Sequence, residues 1–377
     1  MRVLVNARFL LPGRLEGLGR FSDEVLKRLV AAHPEVEFHF VFDRPYDERF
    51  IYAENVTPHI LTPPARHPLL FVLWFEYLLP PLIKKLQPDV FFSPDGYLSL
   101  RSHRCPQVPV FHDLAFLHFP EAVGRADKWH YLRYFPRYAE RAAQILTVSE
   151  YSKQDIKAQY GTEEYKVQVV GNGASGAFAP LTDDEQAQVR AQYSDGQPYF
   201  LYVGALQPRK NIANLLAAFD QFKTATGAPH QLLLTGRKAW KTGSLEAAYE
   251  RMTHQSAVRF TGYLEDADLR KVYGAAHALT YVSLFEGFGL PVLEAMHAET
   301  AVITSTTSSM PEVAGDAALL VDPHNTAEIA GAMQQLAADD VLRAGLIAKG
   351  RLQRERFSWE HTAERVWDAL DWVTLQR

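Results

Sequence analysis

The chain has 377 residues, of which 47% are hydrophobic and 22% are charged, and its formal net charge is −5. This length favours two domains over one core, and the composition is that of a globular protein. The acidic balance argues against nucleic-acid binding through bulk positive charge. The single cysteine, Cys105, excludes an intrachain disulfide and fits a reducing compartment.

The first half of the chain alternates short apolar runs with amphipathic segments, which predicts a parallel sheet covered by helices. The predicted strands are 2–7, 37–42, 89–94, 108–113, 144–149 and 167–170, and the predicted helices are 17–30, 69–86, 128–143 and 150–160. This order is typical of a doubly wound α/β domain.

A stretch rich in glycine and proline, residues 171–197, interrupts the alternation and predicts a domain boundary. Within it, Thr182 and Glu185 have the spacing of a capping box, which predicts the start of a short helix. A second alternation follows. Its predicted strands are 199–205, 231–236, 258–262, 278–283, 301–305 and 318–321, and its last helices are 327–337, 341–356 and 360–375.

We therefore predict an N-terminal Rossmann-like domain over residues 1–175 and a C-terminal one over residues 176–358. The last helix, 359–377, is expected to pack back on the first domain. Two such domains would face each other across a cleft at the carboxyl ends of their sheets, where open α/β folds bind ligands.

The strongest candidate site is the segment from Phe285 to Glu294, which joins a predicted strand to a predicted helix. Gly287 and Gly289 lie at the join, and a proline follows in the first helical turn. A helix N-terminus offers free N–H groups and a positive dipole end to an anion. Glu286 and Glu294 flank this position. A phosphate site between two carboxylates that can accept from hydroxyls predicts a sugar nucleotide.

Two adjacent cations, Arg209 and Lys210, follow the predicted strand 199–205 just before a helix. Such a pair can hold a diphosphate, with arginine as a bidentate donor and lysine as a point charge. A solvated basic turn is the alternative interpretation of the same two residues.

Three motifs together carry a family resemblance: the Pro-Arg-Lys-Asn stretch 208–211, the Glu-Gly-Phe-Gly-Leu-Pro-Val-Leu-Glu stretch 286–294 and the Ser-Ser-Met-Pro-Glu-Val stretch 308–313. They resemble the retaining GT-B glycosyltransferases of family four, the group one glycosyl transferases. The resemblance covers most of the chain and is densest over residues 199–323. It implies two Rossmann-like domains around a cleft and transfer of a hexose from a nucleoside diphosphate sugar to an acceptor hydroxyl.

The resemblance also implies a role for each matching residue. Arg209 and Lys210 match the cations that neutralise the donor diphosphate, Glu286 matches the glutamate that holds donor-sugar hydroxyls, and Glu294 matches the glutamate that binds the ribose. His112, in a His-Asp-Leu element, matches a histidine that reaches the donor sugar. The other implied donor contacts are Gly17 and Gly19 in a first Gly-rich loop, Tyr263 and Leu264 beside the base, and Gly287, Phe288, Gly289 and Leu290 beside sugar and phosphate.

The chain departs from the family pattern at two places. Ala205 stands where many members have an arginine, and Arg237 or Lys238 could supply the missing phosphate contact. Residues 297–301, His-Ala-Glu-Thr-Ala, replace the usual Ala-Cys-Gly-Thr-Pro. For His112, a purely hydrogen-bonded structural role is the alternative.

Two further patterns carry no predicted ligand. The glycines of 171–176 have dinucleotide-loop spacing, but a proline-containing segment follows instead of a helix, so the context fails. Asp266 and Asp268 have the spacing of a metal-binding Asp-x-Asp pair, yet acids are also favoured at a helix start. We therefore predict no metal and no cofactor beyond the donor substrate.

The sequence indicates the identity of the donor and the acceptor less strongly than it indicates the family. GDP-mannose is the favoured donor, and the acceptor is a saccharide or a lipid-linked saccharide, in glycan or polysaccharide biosynthesis. A sugar-nucleotide epimerase or hydrolase and a non-catalytic binding module are the alternatives. We expect a cytoplasmic protein that binds no nucleic acid. The apolar run 68–82 is too short to span a bilayer, and it predicts either a buried helix or an interfacial segment at the inner face of the membrane.

Overall fold

The structure is a computed structural model that describes residues 1–13, 15, 17–237 and 243–376. The described part of the chain divides into two compact units. Unit 1 consists of Met1–Asn172 and Trp359–Arg377, and unit 2 consists of Gly173–Ser358. The division between Asn172 and Gly173 lies inside the stretch rich in glycine and proline, and the last helix belongs to unit 1.

Within the described residues, unit 1 is built on a seven-stranded parallel sheet in the order β3-β2-β1-β4-β5-β6-β7. The strands are β1 (Arg2–Asn6), β2 (Glu37–Phe42), β3 (Val56–Ile60), β4 (Val90–Ser93), β5 (Gln107–Phe111), β6 (Ile145–Thr147) and β7 (Val167–Val169). The helices are α1 (Leu18–Ala32), α2 (Pro68–Leu73), α3 (Leu79–Leu86), α4 (Ala115–His118), α5 (Arg125–Arg141) and α6 (Glu150–Tyr160). Every residue of β4, β5 and β6 is buried, as expected for parallel strands covered on both faces.

The sequence analysis missed two features of unit 1. Strand β3 was not predicted because it contains Pro58, which cannot donate to a sheet; the strand is at the edge of the sheet, where proline is tolerated. The helix predicted over 69–86 is present as one continuous helical stretch, but it contains a π-helical segment, Trp74–Leu78, between α2 and α3 that was not predicted. Pro80 and Pro81, at the start of α3, remove two N–H donors, and a π segment is one way for a helix to absorb such a break. Among the described residues, no helix has both the length and the apolar character to cross a bilayer.

Within the described residues, unit 2 contains a six-stranded parallel sheet in the order β10-β9-β8-β11-β12-β13. The strands are β8 (Tyr199–Val203), β9 (Gln231–Thr235), β10 (Val258–Gly262), β11 (Ala278–Tyr281), β12 (Ala301–Ser305) and β13 (Leu319–Val321). The helices are α7 (Asp183–Ser194), α8 (Ile212–Thr226), α9 (Gly243–Glu250), α10 (Asp266–Gly274), α11 (Leu290–His297), α12 (Met310–Ala314), α13 (Thr326–Ala338) and α14 (Asp340–Arg354).

Helix starts agree with their sequence signals. The predicted capping box is present, since the Thr182 side chain accepts from the Glu185 N–H and the Glu185 carboxylate accepts from the Thr182 N–H. Asp266 and Asp268 lie in the first turn of α10, where the helix dipole favours acids.

The last helix, α15 (Trp359–Leu375), packs along α1 in unit 1. Arg28 of α1 donates from Nε to the Glu360 carboxylate at 2.8 Å, and the His33 and Trp367 rings stack with centroids 3.5 Å apart. These contacts tie the chain end to the unit in which the chain begins.

Both sheets contain a point where the strand order reverses. In unit 1 the sheet grows one way from β1 and the other way from β4; in unit 2 it does so from β8 and β11. Loops at the carboxyl ends of such strand pairs diverge to opposite faces and leave a crevice for ligands. The residues after β8 and β11 are therefore the first place to look for a site in unit 2.

Candidate active site

The turn after β8 carries Arg209 and Lys210 on one 3₁₀ turn, Pro208–Lys210. Asn211 ends this turn in the left-handed region, with φ of 64°, a conformation that asparagine tolerates better than most residues. Its side-chain amide donates to the Val282 carbonyl at 3.0 Å. Asn211 therefore ties the loop after β8 to the end of β11, its neighbour in the sheet.

Glu286 lies between the two cations. Arg209 donates from Nη1 to Glu286 Oε2 at 3.0 Å and to the Phe285 carbonyl at 2.9 Å. Lys210 forms a short ion pair with Glu286 Oε1 and donates to the Tyr281 hydroxyl at 2.7 Å. The Tyr281 hydroxyl in turn donates to Glu286 Oε1 at 2.7 Å. We call Arg209, Lys210, Tyr281 and Glu286 the donor cluster.

Lys210, Tyr281 and Glu286 are buried and Arg209 is partly buried, so their charges act strongly on one another. Burial acts to raise the pKa of Glu286, but the nearby charges of Lys210 and Arg209, with hydrogen bonds from Lys210 and Tyr281, outweigh it and lower that pKa to about 2. Burial and the Glu286 charge raise the pKa of Tyr281 well above its ordinary value. Two cations against one carboxylate leave one net positive charge. The cluster thus combines an ionised acceptor, a neutral phenol and a positive field.

The loop that follows Glu286 is fixed by two serines. The Glu286 N–H donates to Ser308 Oγ at 3.1 Å. The Ser309 hydroxyl donates its one proton to the carbonyls of Glu286 and Phe288, which lie 3.0 and 2.9 Å from Oγ and share it. Both serines are buried or partly buried in the segment that precedes α12. The stretch 308–313 thereby supports the Glu286 turn.

Gly289 begins α11 at φ of 102°, in the region that favours glycine. A Cβ at this position would lie 2.2 Å from Met310 Cε. Glycine therefore lets the chain turn tightly at position 289, so that α11 starts at Leu290. The N-terminus of α11 lies only a few residues after Glu286. Free N–H groups of a first helical turn suit an anion.

Glu294, on the same helix, is buried with 7% of its surface exposed. It accepts a hydrogen bond from the Tyr273 hydroxyl of α10 at 2.9 Å. Its predicted place one turn into the helix agrees with the structure. Sequence reasoning did not identify Tyr273 as the residue that orients it.

The loops after β9 and β10 lie against the loop after β8. The Gly236 N–H donates to the Gly262 carbonyl at 2.9 Å, and the Leu206 N–H donates to the Arg237 carbonyl at 3.0 Å. Arg237 is thus a neighbour of Ala205, and its guanidinium lies 5.2 Å from the centroid of the half-exposed Tyr263 ring. Leu264, the other residue assigned to the base, is partly buried. Lys238 lies outside the described residues.

In unit 1, His112 directly follows β5. Its Nε2 is 2.8 Å from the Pro94 carbonyl oxygen, which can only accept, so Nε2 bears the proton and Nδ1 is the acceptor in the neutral ring. Burial lowers the pKa of His112, against the opposite effects of Pro94 and Asp113. The edge-on ring of Phe21, 4.8 Å away, also holds the imidazole.

A buried polar network at the β1/β4 switch point was not found by sequence reasoning. Asn6 donates to Asp95 Oδ1 at 2.7 Å, and Arg8 Nε donates to Asp95 Oδ2 at 2.5 Å. Each of the three residues is at most 7% exposed. The network fixes the turn after β4, which includes the carbonyl that holds His112.

The two glycines assigned to the first Gly-rich loop lie at different places in the structure. Gly17 is the residue before α1, with φ of 37°, whereas Gly19 is buried inside the first turn of that helix. Gly17 therefore lies in the loop before α1, and Gly19 lies in the helix. Ser149 accepts from the Ser152 N–H at 3.0 Å and caps α6, which agrees with a helix-start role for these serines.

Two Rossmann-like units, with a charged cluster at the switch point of the second, are the architecture expected of a GT-B protein. Residues 15–175 match the sequence model of Glycosyltransferase Family 4, and residues 183–353 match that of Glycosyl transferases group 1. The chain belongs to this family of group 1 glycosyl transferases.

Relatives and solved structures agree with this assignment. The chain is 31% identical over 369 residues to O-antigen chain mannosyltransferase B of Escherichia coli, covering 94% of this chain and 96% of that protein. It is 26% identical over 283 residues to O-antigen chain mannosyltransferase RfbU of Salmonella typhimurium, covering 74% of each. Sucrose-phosphate synthase from Thermosynechococcus elongatus has the same fold, with a TM-score of 0.80, 19% identity and coverage of 100% of both chains.

Proposed function

We propose that this glycosyltransferase is a retaining hexosyltransferase that moves mannose from GDP-mannose to a saccharide hydroxyl in polysaccharide synthesis. Two relatives that cover most of the chain are O-antigen chain mannosyltransferases, which supports the choice of sugar. The donor cluster is the observation that carries the proposal, because its groups match the parts of a nucleotide sugar.

The match is chemical. The ionised Glu286 carboxylate accepts hydrogen bonds from donor-sugar hydroxyls, since its pKa of about 2 keeps it charged at neutral pH. Arg209, Lys210 and the first N–H groups of α11 stabilise the negative charge that grows on the departing diphosphate. Glu294 accepts from the ribose, and Tyr263 with Leu264 contacts the base. No metal ion has a part in this scheme.

We infer a front-face substitution. The bond from the anomeric carbon to the diphosphate oxygen breaks while the acceptor oxygen bonds to the same face of that carbon. Because attack and departure take place on the same face, the configuration is retained. The acceptor proton passes to an oxygen of the departing phosphate. In unit 1, Nδ1 of His112 is the atom that accepts a hydrogen bond from a substrate hydroxyl, in keeping with the tautomer that Pro94 selects.

Two substitutions separate binding from chemistry. Arg209→Ala removes charge-assisted hydrogen bonds worth about 1.5–3 kcal/mol, so donor affinity falls about 10- to 150-fold. Glu286→Ala reduces transfer far more than it reduces binding of the free nucleoside diphosphate. Thermal shift against GDP-, UDP- and ADP-sugars, followed by transfer assays, checks both; wild-type transfer in both variants contradicts the role of the donor cluster.

The acceptor is proposed only by class. A saccharide or lipid-linked saccharide, used at the cytoplasmic face of a membrane, fits polysaccharide synthesis. Turnover of the donor that is equally fast with and without acceptor would instead indicate a hydrolase, and a donor that binds without turnover would indicate a binding module.

A further inference from the structure

The turn after β4 carries the carbonyl group that holds the His112 ring. Pro94 supplies this carbonyl, which accepts from His112 Nε2 at 2.8 Å. The Gly96 N–H closes the turn by donating to the Ser93 carbonyl at 3.3 Å, and Gly96 has φ of 86°. A Cβ at Gly96 would lie 3.2 Å from the Val110 carbonyl oxygen of β5. The turn therefore packs closely against the strand that leads to His112, and its shape sets the direction of the hydrogen bond to the ring.

The Asp95 carboxylate supports this turn from inside. Its Oδ1 accepts from the Ser93 hydroxyl at 3.0 Å and from the Tyr97 N–H at 3.2 Å, so it is bonded to residues on both sides of Pro94. The Asn6 side chain of β1 donates to the same oxygen at 2.7 Å. Asp95 is only 7% exposed. The carboxylate therefore shapes the turn and is not presented to a substrate.

The second oxygen of Asp95 is held by Arg8. Arg8 Nε donates to Asp95 Oδ2 at 2.5 Å, and Arg8 Nη1 donates to the Ala65 carbonyl at 3.2 Å. Four aromatic rings have their centroids 4.2 to 5.2 Å from the central carbon of the guanidinium, namely those of Phe9, Phe71, Phe75 and Tyr97. Burial acts to lower the pKa of Arg8, but nearby charge, mainly that of Asp95, raises it above its ordinary value. Arg8 is thus a fixed cation against which Asp95 is oriented.

An ion pair between Arg8 and Asp95 is a costly way to fill a core. Both charges are removed from water, and well-packed apolar residues of similar volume often stabilise a protein as well or better. What a fully bonded polar network adds is rigidity, because each hydrogen bond has a preferred direction. Here the rigid part is the turn that contains Pro94. The group that this turn orients is the His112 ring.

We propose that Asp95 and Arg8 are positioning residues for sugar transfer, which orient His112 through the Pro94 carbonyl. With Nε2 bonded to Pro94, the lone pair of Nδ1 points in one direction, and the edge contact with Phe21 limits rotation of the ring. A hydrogen bond to a substrate hydroxyl depends on that direction, since a displacement of about 1 Å can cost about 100-fold in rate. The inference rests on the role proposed for His112 and extends it to residues that act through the ring.

A double-mutant cycle tests this coupling. Asp95→Asn keeps the side-chain shape and should lower kcat about 10- to 100-fold. Binding of free GDP, measured by calorimetry, should stay at the wild-type value, because the donor cluster lies in unit 2. In the His112→Ala background the same substitution should lower kcat no further, since the ring through which Asp95 acts is gone. Equal fold losses of kcat in both backgrounds, or wild-type kcat in Asp95→Asn, would overturn the proposal.

Folding is controlled separately, because Asp95→Asn leaves the buried Arg8 without its carboxylate. Thermal melts show whether the variant is folded. If it is not, Arg8→Gln with Asp95→Asn replaces the ion pair by a neutral pair and enters the same cycle. Neutral hydrogen bonds are about half as strong, so a loss of about 10-fold is expected, and the same two outcomes would overturn the proposal. The matched control is Glu76→Gln, at a buried acid of unit 1 that accepts from two backbone N–H groups before β5. Its effect on kcat should be small and equal with and without His112.

The ¹⁵N chemical shifts of His112 test the orientation without any turnover. Burial lowers the pKa of His112, so its ring is neutral at pH 7. In histidine-labelled protein, with the signals assigned by comparison with His112→Ala, wild type and Glu76→Gln should show the proton on Nε2. Asp95→Asn should show a mixture of both tautomers, and an unchanged tautomer would overturn the proposal. A wild-type protein that transfers nothing from GDP-mannose would instead contradict the proposed function, and the tautomer comparison would still decide whether Asp95 orients the ring.

Discussion

Glu286→Gln is the substitution whose cost follows most directly from the donor cluster. It keeps the side-chain shape but removes the charge that Lys210 and Arg209 stabilise. The pKa of Glu286 falls from an ordinary value of 4.5 to about 2, which corresponds to about 3 kcal/mol in favour of the ionised form. The variant should lose about that much stability at pH 7, since the buried Lys210 and the partly buried Arg209 are left without their carboxylate.

The dependence on pH has a definite sign. The folded-state pKa is below the unfolded one, so the contribution of Glu286 is fully present above pH about 4.5 and is lost as pH falls toward 2. Urea unfolding of wild type and variant should therefore show a constant difference from pH 8 to 5 and a smaller one at pH 4 and below. Glu364→Gln, at an exposed position on α15, is the control. A Glu286→Gln variant as stable as wild type at pH 7, or a difference that grows as pH falls, would refute the reasoning.

Three further results are expected. Tyr281→Phe removes one hydrogen bond to Glu286 and one from Lys210, which costs about 1–3 kcal/mol in urea unfolding and raises the KM for the donor, while kcat changes less. Gly289→Ala puts a Cβ against Met310 and strains a backbone at φ of 102°, so it should cost about 2 kcal/mol or more, and shortening Met310 to Ala should recover only the steric part. Burial lowers the pKa of His112, so in a plot of kcat against pH the midpoint of the acid limb that depends on His112 should lie below the ordinary histidine value of about 6.5. A midpoint above that value would contradict a neutral His112 ring at pH 7.

The sheets were the most predictable part of the fold. Strands buried on both faces, such as β5, have continuous apolar runs, which are visible in the sequence. Strand β3 could not be found in this way, because an edge strand with Pro58 and partly exposed residues has no such run. The helix over 69–86 was predicted, but its π segment was not, since the apolar pattern does not show where a helix widens by one residue per turn.

Residues of the candidate site could be predicted where they directly follow a predicted strand. Arg209, Lys210 and Glu286 could be identified because charged residues after a strand lie at a sheet edge where ligands bind. Tyr281 could not, since a tyrosine inside an apolar strand is typical of a core residue; only the pairing of β11 with β8 brings its hydroxyl to Lys210.

The same limit applies to the network of Asn6, Arg8 and Asp95. Asp95 lies 89 positions after Asn6 and 87 after Arg8, and it meets them only because β1 pairs with β4. No local spacing signals such a contact.

The central claim is tested most directly by incubating the purified protein with GDP-mannose and a mannose-containing saccharide acceptor and analysing the product by NMR. The account predicts a new glycosidic bond with the anomeric configuration of the donor, formed without added metal ion and lost in Glu286→Ala. An inverted linkage, or free mannose released at the same rate whether or not the acceptor is present, would contradict it.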